Sequence, residues 1–163
     1  MAAGASRRCL LDGLNIAYWG GNPPSLRVPL SLLAALRRQG DDVQAFFDAS
    51  APHRFAAEAP AYVRLRAQAA ICCEMPSGRS ADGALLRVAR ASGACIVSRD
   101  HYGDHRRRYR KLIDEPGRLL TGFVKDGMLH LPATGLQVPL AVSAAEAWDW
   151  LAPLLPRATA ASE

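Results

Sequence analysis

The chain has 163 residues, half of them apolar and 21% charged, with a formal net charge of +5. That size fits one globular domain with its own core, and no second domain is expected. Apolar runs such as Leu30–Leu36 fall well short of the roughly 20 residues a membrane span needs, and Met1–Ser6 has no secretory apolar stretch, so a cytoplasmic protein is expected.

After a flexible start over residues 1–7, short β-type apolar runs alternate with helical patterns. Cys9–Leu11 precedes a helix over Leu26–Arg38, and Val43–Phe47 precedes one over Pro60–Gln68. Ala70–Cys73 precedes a helix over Ala81–Ala91, and Ala94–Val97 precedes one over Gly103–Ile113. Strand runs without polar alternation predict a mostly parallel sheet buried on both faces, with helices as right-handed crossovers. Pro23-Pro24-Ser25 opens the first helix, Gly40 closes it, Ser80 caps the third and Gly93 ends it. Leu119–Val124 and Met128–Leu131 then read as a pair of strands around the turn Lys125-Asp126-Gly127. Val142–Leu155 reads as a last amphipathic helix carrying Trp148 and Trp150, assigned to packing, and 156–163 as a flexible tail, so the folded domain is 8–155.

Cys9, Cys72, Cys73 and Cys95 lack C-x-x-C spacing and lie in apolar stretches, which predicts buried free thiols. The basic residues are almost all arginine, whose guanidinium pairs with phosphate in a bidentate fashion and favours a polyanionic partner. Neither G-x-G-x-x-G nor a P-loop motif is present, which removes the usual nucleotide-binding readings of an α/β chain.

The aspartates cluster at the predicted carboxyl ends of strands, where loops of a parallel sheet converge. Asp12 follows the first strand, Asp48 the second, and Asp100 the fourth after Ser98 and Arg99. Asp104 lies one helical turn beyond Asp100 if a helix begins near His101, and Asp82 opens the third helix. Each has an ordinary explanation alone, as a turn, a helix-dipole charge or an exposed ion pair. Together on one rim they would repel by roughly 3 kcal/mol per pair at about 5 Å and a dielectric near 20, so a cation is expected. Oxygen-only donors suit Mg²⁺, with Mn²⁺ able to substitute, and such a centre hydrolyses phosphodiesters through metal-activated water.

Leu11-Asp12-Gly13-Leu14-Asn15-Ile16-Ala17 resembles the D-G-x-N-[VI]-A opening of NYN-domain ribonucleases of the PIN-like superfamily, especially the regnase type. Ala81-Asp82-Gly83-Ala84-Leu85-Leu86 is similar to that family's D-D-x-x-[IL] helix start, and Ser98-Arg99-Asp100-His101-Tyr102-Gly103-Asp104 to its S-N-D-x-Y-x-D segment, in the same order and spacing. The resemblance spans roughly residues 8–132 and departs at Ala81, where the family has the first of two aspartates. It implies a PIN-like three-layer α/β/α sandwich and a Mg²⁺-dependent endoribonuclease acting on single-stranded or loop RNA. It also implies an acidic centre of Asp12, Asp82, Asp100 and Asp104, with Asn15 orienting Asp12 or a water.

His105-Arg106-Arg107-Arg108-Tyr109-Arg110-Lys111 adds five arginine and lysine cations beside Asp104. Arg106 and Arg110 share one helix face and Arg107 and Lys111 the next, along which a phosphate backbone would lie; a solvated surface is the plain alternative. Arg79, Arg87 and Arg90 are further candidate RNA contacts, Arg79 best placed because it precedes Asp82; Ser98 is a partner for carboxylate or phosphate, and Tyr102 or Tyr109 a platform for an unpaired base. Two other functions fit the same residues: a catalytically silent RNA-binding module, and a PIN-type toxin ribonuclease of a toxin–antitoxin pair. Apolar residues near Trp148 or Trp150 are candidates for a homodimer interface as well as for core packing.

Overall fold

A computed structural model describes residues 6–156. The expected flexible segments lie almost wholly outside that range. Its eight strands are β1 (Arg8–Asp12), β2 (Asp42–Phe47), β3 (Cys72–Glu74), β4 (Cys95–Val97), β5 (Leu119–Leu120), β6 (Phe123–Lys125), β7 (Met128–Leu131) and β8 (Leu136–Pro139). Its helices are α1 (Gly13–Ala17), α2 (Arg27–Arg38), α3 (Ala51–Arg54), α4 (Ala59–Arg66), α5 (Ala81–Ser92), α6 (Arg106–Asp114) and α7 (Ala144–Leu151).

The first five strands form one parallel sheet in the order β3-β2-β1-β4-β5. Alternation along β1 sends Cys9 and Leu11 into a core shared with α2, α4 and α7, while Leu10 joins Phe46, Ile96, α5 and α6 in a second core on the opposite face. This is the expected three-layer sandwich, and the strands read as unbroken apolar runs because helices cover both faces. Leu30, Leu32, Leu33 and Leu36 of α2 are fully buried, each contributing roughly 1.5–3 kcal/mol before entropy costs. Ser80 accepts from the Asp82 N–H at 3.1 Å and starts α5, and Gly93 ends it in the left-handed region at φ 78°.

Several elements differ from the sequence reading. The run Leu119–Val124 splits: β5 adds to the parallel sheet, and β6 pairs with β7, which pairs in turn with β8, in a separate three-stranded antiparallel sheet. The strand placed at Ala70–Cys73 starts two residues later, and β8 and the short helices α1 and α3 were not foreseen. The helix expected over Gly103–Ile113 is a 3₁₀ turn at Gly103–His105 followed by α6, which is kinked at Tyr109 (φ −118°, ψ 28°). The last helix stops at Leu151 and continues as a 3₁₀ turn. All four cysteines are free thiols, three buried and Cys73 half-buried. Trp148 and Trp150 pack half-buried against the first core, and no helix among the described residues is long and apolar enough to cross a membrane.

Gly13 shows why glycine follows Asp12. A Cβ there would strike the ring of Phe47, itself packed edge-on against Phe55 and Tyr62 at 5.9 and 5.6 Å. Gly13→Ala is therefore expected to destabilise by about 1–3 kcal/mol, read as a lower Tm. Phe47→Leu in the same chain should recover part of the loss by vacating the contact.

Candidate metal centre

Chain order reverses between β1 and β4: the chain leaves β1 toward β2 and β3, then returns on the other side. Loops part at such a switch point and leave a crevice at the carboxyl ends. Asp12 is the last residue of β1 and Asp100 follows β4, so both stand at its mouth.

Asp12 is only 7% exposed. Its Oδ2 accepts from Ser98 Oγ and from the Tyr102 hydroxyl, both at 3.0 Å. Burial nevertheless dominates, and with the nearby Asp82 charge it pushes the carboxyl up to about 6. The same segment ties itself together: Ser98 Oγ accepts from the Asp100 N–H at 3.0 Å, and Asp100 Oδ1 from the Tyr102 N–H at 2.7 Å. This turn places Tyr102 in the left-handed region at φ 53° and aims its ring inward. Burial, then the Asp12 charge, raises the phenol, so it stays a donor.

Asp82 lies half-buried in the first turn of α5. Burial raises its carboxyl most, followed by the charges of Asp100 and Asp48; His105 opposes and Asp104 adds a smaller push. The four aspartates singled out in the sequence therefore share one electrostatic field. They surround the crevice rather than converge, since among the described residues no three His, Cys, Asp or Glu side chains are grouped to hold an ion. The donor chemistry, carboxylate oxygen with no thiol or imidazole required, suits a hard divalent cation that keeps several waters.

The side-chain Oδ1 of Asn15 accepts from the Arg99 N–H at 2.9 Å and from Trp19 Nε1 at 3.1 Å, so it ties α1 to the loop after β4 and is not bonded to Asp12. Two residues assigned to RNA also face inward. Tyr102 is 1% exposed, so its ring offers no face to a base and its hydroxyl donates to Asp12, and Ser98 is buried on the same carboxylate, the first of the two partners expected for it. Tyr109 is buried too. Asp104 belongs to the 3₁₀ turn, not to an α-helical turn beyond Asp100.

Arg79 is exposed before α5, and Arg106, Arg107, Arg110 and Lys111 are exposed on α6. Arg106 grips Asp114 with contacts of 2.7 and 2.9 Å, and Arg110 reaches the same carboxylate at 3.7 Å, which confirms their shared face and partly neutralises both. Asp48, which follows β2, joins this rim although its position alone does not assign it to the centre. Its Oδ1 accepts from the Ala81 N–H at 2.9 Å, seating α5 beside β2 and adding a carboxylate to the rim. Its place after the strand next to β1 was the available signal.

The Zc3h12a-like Ribonuclease NYN domain profile matches residues 5–135. The chain belongs to this family of ribonuclease NYN domains. No curated protein is a significant match to the sequence. In fold, the NYN domain is similar to the crystal structure of nuclear proteinaceous RNase P 2 (PRORP2) from Arabidopsis thaliana, with TM-score 0.64 and 17% identity over 87% of this chain and 32% of that one. A second structure of the Arabidopsis thaliana nuclear protein-only RNase P 2 gives TM-score 0.60 and 16% identity over 88% and 32%. The NYN domain thus spans about a third of the length of these proteins. The match runs from β1 through the turn after β7, so all four aspartates lie inside it.

Proposed function

We propose that this NYN domain is a divalent-metal-dependent endoribonuclease that hydrolyses phosphodiester bonds in single-stranded or loop RNA. The observation that carries this reading is Asp12, buried at the switch point, held by Ser98 and Tyr102 and lying in the field of Asp82. Asp12, Asp82, Asp100 and Asp104 would hold Mg²⁺, with Mn²⁺ able to replace it. Such a cation, when bound, supplies Lewis acidity toward water and offsets charge on the phosphate.

The protein's own groups divide the remaining work. Ser98 and Tyr102 fix the Asp12 carboxylate, and Asn15 holds the loop that carries Asp100 against α1. Asp82 has a raised proton affinity and no side-chain donor on its carboxylate among the described residues, so it is the group that takes the proton from the attacking water. Arg79 and the exposed cations of α6 hold the phosphates of the strand.

Proton and cation compete for Asp12. Since its carboxyl titrates near 6, the cation concentration giving half-maximal cleavage is expected to rise by about tenfold per pH unit below pH 6 and to level off above it. Cleavage measured against metal concentration at several pH values checks this; a requirement independent of pH between 5 and 7 would count against Asp12 as a ligand.

A silent RNA-binding module is the second reading. It is favoured by Ala81, whose side chain is buried where the family has an aspartate, and by the spread of the carboxylates. Labelled RNA and DNA incubated with Mg²⁺, Mn²⁺ or EDTA, beside Asp100→Asn, separate the two. The enzyme cuts RNA with metal and Asp100→Asn does not; retention of intact RNA in every condition, EDTA included, would support the silent module.

A further inference from the structure

The side of the molecule formed by α5 and α6 carries an open groove of about 780 Å³, lined by Arg90, Arg107, Arg108, Arg110, Lys111 and Arg118 against Asp114 and Glu115. Arg118 is structural: it donates to the carbonyls of Ala94 and Ala89 at 3.2 and 2.7 Å and pairs with Glu115 at 2.6 Å. Asp114 is taken up by Arg106 and Arg110. Arg90, Arg107, Arg108 and Lys111 are left with no carboxylate partner among the described residues, so the groove holds an excess of fixed positive charge.

The kink at Tyr109 shapes this surface. It turns the ring inward, and the guanidinium groups of Arg90 and Arg108 lie 4.7 and 5.7 Å from its centroid. Two cations on different helices are thereby held in place before any ligand arrives. Because the ring is buried and already covered, it offers no face to a base. The ligand must be met through its charge.

The groove also has a fixed relation to the acidic crevice. Asp82 lies in the first turn of α5 and Arg90 in the last, roughly 12 Å apart along the helix axis. A stacked strand rising about 3.4 Å per nucleotide covers that distance in about four nucleotides. We propose that the groove between α5 and α6 binds the phosphates of the RNA strand about four nucleotides from the cut. Substrate recognition is then extended and independent of base identity. This rests on the reading of the acidic crevice as the site of cleavage, but its test does not require cleavage.

The full chain in EDTA is titrated into labelled unstructured RNAs of about four and about 12 nucleotides, over a range of salt. The longer RNA is expected to bind at least tenfold more tightly. In Arg90→Gln/Arg108→Gln that advantage falls to within about threefold, and the log–log salt slope for the longer RNA drops by about 1.4, near 0.7 per lost phosphate contact. Arg90→Lys/Arg108→Lys keeps both charges while losing the stacked planes, and should retain the slope. The proposal is overturned if the glutamine pair leaves affinity and slope unchanged, if the lysine pair loses as much as the glutamine pair, or if the wild type shows no preference for the longer RNA. An unchanged slope beside normal metal-dependent cleavage would sink the groove alone. A falling slope in a protein that cuts no RNA would sink the proposed activity and leave the groove standing.

Discussion

Asp12→Asn is expected to lower RNA cleavage on the order of 10³-fold, the scale of losing one preorganised electrostatic group, while making the protein without metal more stable. The two effects share one cause. Asp12 titrates near 6 in the folded protein against an ordinary 3.8, so the folded state binds its proton more tightly than the unfolded chain. Stability from this group is therefore lost as pH rises from about 4 through 6. Above that window the buried ionised carboxylate costs roughly 3 kcal/mol. Asparagine keeps an oxygen for the Ser98 and Tyr102 hydroxyls and removes the charge. At pH 7.5 without metal, Tm should rise by about 4–8 °C if roughly 2 kcal/mol is recovered. Mg²⁺ should then raise the wild-type Tm and leave that of the variant unmoved. A variant that melts lower than wild type in EDTA would show that Asp12 is a structural anchor instead.

Ser98→Ala combined with Tyr102→Phe is expected to raise the cation concentration for half-maximal cleavage at pH 7 by roughly 10–100-fold, the range found when groups that orient a metal ligand are removed. Both hydroxyls donate to Asp12 Oδ2 and favour its ionised form, each contributing about 1.5–3 kcal/mol. Without them the carboxyl moves further up, so protonation competes at neutral pH. The deficit should narrow at pH 9, where the carboxylate is ionised again. A deficit of the same size at pH 7 and pH 9 would mean that the crevice has collapsed. Tyr102→Phe alone isolates the phenol, since Ser98 also accepts from the Asp100 N–H.

Much of this centre was legible in the sequence because a parallel sheet concentrates function at its strand ends. Asp12 directly follows an unbroken apolar run and Asp100 follows another after Ser98 and Arg99, and the glycine after Asp12 has a physical reason in the Phe47 ring. What escaped depends on backbone conformations that residue type does not signal. Nothing in Ser98–Asp104 announces a left-handed tyrosine, so Tyr102 read as an outward aromatic when it is the buried donor to Asp12. The same turn displaces Asp104 from an α-helical position into a 3₁₀ one. Asn15 reads in the sequence as orienting Asp12 or a water, whereas its side-chain acceptor serves Trp19 and the Arg99 N–H, and the Arg99 bond needs the loop after β4 to be in place. The strand β8 is four residues long and ends in proline, too short for alternation to stand out. The groove between α5 and α6 was only half visible: Arg90 and the run Arg106–Lys111 are plain in the sequence as candidate contacts, but their meeting in one groove with Arg118 comes only from packing of distant segments.

The central claim is that the carboxylate rim at the switch point holds the cation on which RNA cleavage depends. Its most direct test is single-turnover cleavage of a labelled single-stranded RNA at pH 7.5 while Mn²⁺ is titrated into metal-free wild type and Asp12→Asn. Wild type should cut in proportion to bound metal and fall silent in EDTA, with the variant flat throughout. Cleavage by wild type in EDTA, or by Asp12→Asn at the wild-type rate, would contradict it.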